Sequence, residues 1–396
     1  MAGNPLEQWF CLVEALDQVR VPSKSEVQRC AHGLPAGQMR VVIDGLLQAG
    51  VEQPRQLGLQ EALDVAEDFL DSTCLKANSQ CPTDWGLVRD GVRTLMKATR
   101  LIREAGLRGR MESPNAFLRR MHRLSIAMSQ QTRPAGRKTG RKRGLRQMKQ
   151  LVGVGRAHAR RHRDLLDQPW EQTEWTRPQA EPILRRIDGV LERLPRAQTQ
   201  AHERIIGGRP VAHDEKILSL SDLEVRVIVR GKAGAEVEFG NPVLRGENRQ
   251  GLILDYAFYQ ESAPADSQLL FDSLLRVWEG PGCQVQAGVT DRGFASASNR
   301  RTLKEGGTFD GLCPRHPAEL SQRMKGKKFA RLQRRRVQPE ARLGILKQCF
   351  LGRPMRAKGS EHRKLALAWG VVTHNLWLLA RMSKTKKKPL ALREAA

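Results

Sequence analysis

The sequence predicts an α/β protein: a mixed sheet flanked by helices, with a long basic helical insertion after the first strand and a helical N-terminal region. Three observations carry that prediction. Strand-like runs lie at 68–78 and again from Lys216 onward, bounded by Gly-rich turns. Between them, from Pro82, apolar residues recur at three- and four-residue spacing, the period of a helix with one buried face. With 396 residues and 40% hydrophobic content, the chain can build two or three domains, or one core with a large insertion.

Taken in order, Leu6, Phe10, Val13 and Leu16 recur at helical spacing, and Ser23 to Cys30 and Pro35 to Leu47 follow across a turn. Two short helices across a turn suit either a helix-turn-helix that reads DNA or a small bundle that only packs. The stretch Asp68 to Asn78 is strand-like and carries Asp71. An acid inside a strand is disfavoured by propensity and by burial cost, so Asp71 is either a metal ligand or a surface aspartate at a strand end.

Pro82-Thr83-Asp84-Trp85 opens a helical region whose stripe is Leu87, Val88, Val92, Leu95, Met96 and Leu101. From Arg100 to Arg163 there are nineteen Lys or Arg against two acids, Glu104 and Glu112, which is +17 of the chain's +26. The middle of that block, Arg133 to Gly144, holds Arg137, Lys138, Arg141, Lys142 and Arg143 with Pro and Gly among them. It is expected to be a mobile loop between helices that touches phosphate. A polar, Pro-containing stretch follows, Pro169 to Pro195. From Lys216 come strands around Ile217 and Leu218, Val225 to Val229, Glu236 to Leu244 and Gly251 to Tyr259. A helix is expected over Pro264 to Trp278, a strand over Gln284 to Thr290, a helix over Ser296 to Lys304 and a short strand ending at Cys313. Leu365 to Leu379 reads as a core helix, its apolar run interrupted by Thr373-His374-Asn375, with His374 and His362 structural. The basic tail after Lys384 is expected to be disordered.

Sixty-eight Lys and Arg against 42 Asp and Glu, with a pI near 10.6, imply a polyanionic partner, most simply DNA or RNA. No run of eighteen apolar residues and no basic-then-apolar leader is present, so a membrane partner is not expected and the protein reads as soluble and intracellular. Seven cysteines at irregular spacings, none in a C-x-x-C pair, read as free thiols.

Asp291 stands at the end of a strand and before a Gly, where α/β sheets place their chemistry; a plain strand-to-helix cap is the other reading. Glu340 is the one acid in the basic stretch Arg331 to Lys347, with Arg336 four residues before it and Lys347 seven after. A continuous helix would set those three on one face, whereas Pro339 favours a helix starting near Gln338, with Arg336 in the preceding turn. Three carboxylates such as Asp71, Asp291 and Glu340 can hold two Mg²⁺ about 3.5 to 4 Å apart for an in-line phosphoryl transfer. Asp222 competes with Asp71 for the first position.

Several motifs together resemble the DD-E transposases of bacterial insertion sequences. They are Asp71 to Asn78 followed by Pro82 to Trp85, Gly231 to Gly240, and Thr290-Asp291-Arg292-Gly293-Phe294. In addition, Arg336, Glu340 and Lys347 match a Tyr, two residues, Arg, three, Glu, six, Lys signature in which Gln333 stands for the Tyr. The resemblance runs from about Leu6 to Met382. It implies a ribonuclease-H-like catalytic domain over 61–382, interrupted by a basic helical insertion at 86–210, with a DNA-binding region at 1–60 and a tail at 383–396. It further implies Asp71, Asp291 and Glu340 as catalytic metal ligands for Mg²⁺ or Mn²⁺, two ions in number. DNA would be held by Arg336, Lys347, Gln333, Arg137, Lys138, Arg141, Lys142 and Arg143. The implied partner is double-stranded DNA, as element ends and target, handled by a homodimer or larger assembly in a prokaryotic cytoplasm at the nucleoid. A catalytically inactive DNA-binding derivative and a structure-specific nuclease of the same fold are the alternatives.

Overall fold

A computed structural model describes residues 23, 26, 29–30, 33–77, 83–130, 134–168, 170–212, 215–222, 224–232, 235–352 and 355–382. The expected helix over Leu6 to Leu16 and the basic tail lie outside the described residues, as do Cys11 and Cys81. The protein is mixed α/β, with a mixed sheet and flanking helices. It divides into two compact units, one made of 1–78 with 241–396 and the other of 79–240. No helix among the described residues is long and apolar enough to cross a membrane.

The first unit holds α1 (Ala36–Glu52), β1 (Glu67–Lys76) and most of the later elements. In the second lie α2 (Asp84–Glu104), α3 (Pro114–Gln130), α4 (Pro134–Asp167), α5 (Arg177–Ala201) and β2 (Arg226–Lys232). The strand β3 (Ala235–Glu247) begins in the second unit and ends in the first. Then follow β4 (Ile253–Phe258), α6 (Asp266–Glu279), β5 (Ala287–Thr290), α7 (Ala297–Glu305), β6 (Phe309–Leu312), α8 (Pro317–Arg323), α9 (Lys327–Arg335), α10 (Val337–Ile345) and α11 (Ser360–Met382).

In the first unit the strands run in the order β4-β3-β1-β5-β6. The β3–β4 pair is antiparallel, with Val243 opposite Phe258 and Arg245 opposite Tyr256. The β1–β5 and β5–β6 pairs are parallel. Alternation along β1 decides which side chain meets which layer. Leu70 packs with Leu244, Leu269, Leu270, Phe294, Leu303 and Leu312, whereas Phe69 packs with Ala287, Val289 and Leu332 on the opposite face. The larger cluster gathers Met39, Ile43 and Leu47 of α1 with Ile253, Leu254, Leu367 and Val371. The inner face of α1 is therefore core. Asn375 explains the polar break in the apolar run of α11: its amide accepts from the Ile253 N–H and donates to the Ile253 carbonyl, both at 2.9 Å. His374 is buried, and that burial holds its pKa down to about 4, so it is neutral and structural.

In the second unit, Leu87, Val88, Val92, Leu95 and Met96 of α2 pack against Leu145, Met148 and Val152 of α4 and Leu184, Ile187 and Leu194 of α5. Two expectations need correction here, the loop at Arg133 to Gly144 and the strand at Ile217 and Leu218. The loop expected between Arg133 and Gly144 is instead the start of α4, which opens at Pro134. Proline suits a first helical turn, Arg and Lys are good helix formers, and Gly144 lies where a Cβ would sit 2.8 Å from Met128 Cγ, so small residues let α3 and α4 approach. The Pro-containing stretch holds the 25-residue α5, begun by a Thr176–Gln179 capping box, despite Pro182 and Pro195 inside it. Its buried Leu184, Ile187, Val190, Leu194 and Ala197 recur at helical spacing, and that burial outweighs the lost backbone bonds. Ile217 and Leu218 form no strand; the Gln200 side chain accepts from Ile217 N at 2.8 Å and donates to Ile217 O at 3.2 Å, satisfying the backbone that a neighbouring strand would otherwise pair.

Candidate active site

The register of the parallel pair β1–β5 sets Glu67 beside Ala287, Asp68 beside Gly288 and Phe69 beside Val289. The register ends there, two residues before Asp71 on β1 and before Asp291, which follows the last residue of β5. Asp71 is the fifth of the ten residues of β1, whereas Asp291 follows the C-terminal end of β5, the kind of position where open α/β sheets place ligands. Asp71 is half-buried, between Phe69 and Thr73 on its own face of β1. Asp291 is half-buried as well and caps a short 3₁₀ turn, its Oδ1 accepting from Gly293 N at 2.9 Å. The capping reading of Asp291 thus holds in the structure, and it leaves Oδ2 without a role in the cap.

The face of β1 that carries Asp71 is met by residues of α9 and of the π-turn Leu346–Leu351. Arg331 donates to Glu67, Leu332 packs on Phe69, and Lys347 Nζ donates to Thr73 Oγ1 at 2.6 Å. Glu67, Phe69 and Thr73 of β1 are thus met in chain order by Arg331, Leu332 and Lys347, and Asp71 lies between Phe69 and Thr73. Gln333 reaches the same strand ends: its Nε2 donates to Gly311 O at 2.6 Å and, at a longer 3.5 Å, to Thr290 O.

Glu340 lies in the first turn of α10 and is exposed. A carboxylate there is favoured by the helix dipole. Behind it α10 is fixed to β3: Arg245 Nη2 donates to Pro339 O at 2.8 Å, and Arg342 Nη1 meets Glu247 Oε1 at 3.1 Å. Arg245 and Glu247 pair at 2.8 Å while only 2% and 1% exposed. Burial is the first effect on Glu247 and pushes its pKa up, although Arg245 and Arg342 pull the other way. Gly251, at φ +96°, lets the Arg342 guanidinium pass; a Cβ there would lie 2.4 Å from Cζ.

Two expectations about this stretch are revised. A single helix does not carry Arg336, Glu340 and Lys347 on one face, because Arg336 is the residue between α9 and α10 and Lys347 lies in the π-turn. The helix begins at Val337, one residue before the start that Pro339 suggested. In addition, among the described residues no group of three or more His, Cys, Asp or Glu side chains is close enough to hold a metal ion. Asp71, Asp291 and Glu340 therefore do not close into a three-ligand set. Each of these carboxylates offers the hard oxygen donors that a divalent cation takes, but the described residues do not gather them into one set. The competing acid, Asp222, lies outside any strand.

The predicted DNA-contacting residues of the second unit fall on α4. Lys138 and Arg143 are exposed and Lys142 is half-buried. Arg141 instead turns inward, its guanidinium 4.7 Å from the centre of the Trp85 ring and its Nε donating to Met128 O at 3.3 Å. The side chain of Arg137 lies outside the described ones.

Sequence reasoning missed the buried polar network on the other face of the sheet. Asp255 of β4 accepts from Arg40 Nη2 at 2.8 Å, Arg276 Nη2 at 2.7 Å and Ser273 Oγ at 2.6 Å. Burial works to raise its pKa, but those hydrogen bonds and charges outweigh it and hold Asp255 below the usual carboxylate value. The one signal in the sequence was an acid inside the apolar run Leu252 to Phe258. Comparison with family models, curated proteins and solved structures gives no significant match.

Proposed function

We propose that the chain is a DD-E-type transposase whose sheet unit is a ribonuclease-H-like catalytic domain. It would bind the ends of its element, cleave a DNA strand at each end, and join the freed 3′-hydroxyl to target DNA. The observation that supports the reading is the parallel pairing of β1 with β5, whose register ends at Phe69 and Val289, two residues before Asp71 and Asp291, the two aspartates that the sequence motifs single out. Glu340, exposed in the first turn of α10, would be the third acid. The net charge of +26 and the concentration of cations at 100–163 suit a double-stranded DNA partner.

In this reading Asp71 and Asp291 would be the residues that hold a divalent cation, Mg²⁺ or Mn²⁺. When bound, the metal would activate a water or 3′-hydroxyl and stabilise the leaving oxygen. The chain's own residues supply the rest. Lys347, tied to Thr73, and Arg336, in the turn before α10, present positive charge to the phosphodiester. Arg245 and Arg342 hold α10 so that Glu340 faces outward from its first turn.

Supercoiled DNA carrying the flanking ends of the element, incubated with protein and Mg²⁺ or Mn²⁺, tests this. Metal-dependent nicking at the ends followed by joining is expected. Cleavage without joining would make the protein a nuclease of the same fold, and end binding without cleavage would make it an inactive DNA-binding derivative.

A further inference from the structure

The outer face of α6 carries side chains that a folded chain normally hides. Phe271, Leu275 and Trp278 stand at i, i+4 and i+7 and so share one stripe of the helix, opposite the buried Leu269, Leu270, Ser273 and Val277. Phe271 is 52% exposed and Trp278 62%. Apolar side chains grouped on an exposed face mark a surface that meets a partner. Asp272 and Glu279 each follow one of the aromatics and border the stripe, and neither makes an ion pair among the described residues. Arg276, the one cation of α6, is turned away to Asp255. In a chain of net charge +26, this face is apolar and acidic.

A surface of the opposite character lies in the second unit. Between α3 and α4 runs a groove of about 520 Å³ with Leu124, Ala127, Leu151 and Val154 as its apolar lining and Arg120 and Arg123 along the α3 side; no carboxylate lines it. Val154 is 49% exposed. Arg120 is held by Glu112 and lies over the Phe117 ring, whereas Arg123 is exposed and makes no ion pair among the described residues. An apolar groove with a cationic edge fits an amphipathic helix whose anchors recur at i, i+4 and i+7 and whose flanking residues are acids. A phosphate backbone would meet the arginines and leave the apolar lining unfilled. We infer that the groove receives α6 of a second copy of this chain. Phe271, Leu275 and Trp278 enter the apolar lining, and Asp272 and Glu279 lie toward Arg120 and Arg123. Because the contact joins different surfaces of two copies, it closes as a reciprocal pair or a ring, or else extends into a row. Neither the metal nor the cleavage reaction enters this inference.

Sedimentation velocity of the nuclease-treated full chain, over a concentration series at about 0.15 M salt, reads the association. Wild type associates reversibly. Phe271→Ser combined with Trp278→Ser, both at exposed positions, weakens association at least about tenfold. Arg123→Glu weakens it by about tenfold, and so does Asp272→Lys combined with Glu279→Lys. When these three charge reversals are placed in one chain, opposite signs face each other again, and association returns to within about threefold of wild type. A variant that merely disturbs its own helix gains nothing from a reversal on the other surface. A wild type that stays monomeric at every concentration overturns the proposal, as does association that the α6 and groove variants leave unchanged, or a triple reversal that recovers nothing. A labelled duplex is titrated beside them: if Arg123→Glu lowers duplex affinity and leaves association intact, the groove belongs to nucleic acid and the proposal fails.

Discussion

Asp68 and Asp71 lie three residues apart on β1, on opposite faces, and the sheet treats them in opposite ways. Asp68 is 0% exposed, both of its carboxylate oxygens lack a hydrogen-bond partner, and a Cβ on Gly246 would lie 2.6 Å from its Oδ1. Burial first, then the neighbouring Asp255 and Glu247, push its pKa well above the usual carboxylate value. Asp71 is half-buried and shares its face of β1 with Glu67, Phe69 and Thr73, which meet Arg331, Leu332 and Lys347. The same side chain is thus a neutral filler on one face and a candidate ligand on the other. What separates them is access to water and to cations, since nearby Asp255 takes the donors of Arg40, Arg276 and Ser273 and leaves none for Asp68.

The largest effect expected from this contrast is on chemistry. Asp71→Asn or Asp291→Asn removes about 10³-fold or more of metal-dependent cleavage, which corresponds to about 4 kcal/mol of lost transition-state stabilisation. Folding, read by circular dichroism, and duplex affinity stay as in wild type. Next comes the network on the Asp68 side. Asp255→Asn is expected to destabilise the protein by about 3 to 5 kcal/mol, because breaking a buried pair strands its partners, Arg40 and Arg276. Denaturant unfolding at neutral pH measures it. The pKa of Asp255 is lowered in the folded state, so its contribution is present above the unfolded carboxylate value and is lost as pH falls through the folded one.

Asp68 has the reverse dependence. Its folded pKa is raised, so its contribution is whole below the unfolded value of about 3.9 and fades as pH rises through the folded pKa. Asp68→Asn therefore unfolds at a higher temperature than wild type at neutral pH, and the difference closes as pH is lowered toward 4. An unchanged difference across that window would mean that Asp68 is already ionised in the fold. The smallest expected effect on stability is at Glu340, which is exposed: Glu340→Gln changes stability by less than about 0.5 kcal/mol while lowering cleavage.

Most of the strands and helices of the sheet unit are legible in the sequence because their periodicity is clean, and Asp71 and Asp291 stand out because acids at strand positions are disfavoured. Other features depend on tertiary partners that spacing does not reveal. The stretch from Pro134 to Gly144 looks like a loop until Gly144 is seen against Met128. Pro182 and Pro195 look like helix breakers until the buried stripe of α5 is placed in its core. Asp68 cannot be told from Asp71 by composition, since strand alternation separates them only once the covering layers are known. The contact made by Gln333 is hidden for a similar reason: its acceptors, Gly311 and Thr290, are 22 and 43 residues away.

The contrast between the two aspartates is tested most directly by cleavage of end-bearing DNA in Mg²⁺ with Asp71→Asn and Asp68→Asn side by side, both folded and both binding DNA. The account predicts that Asp71→Asn is inactive and Asp68→Asn cleaves as wild type does. An active Asp71→Asn, or an inactive Asp68→Asn that still folds and binds, would contradict it.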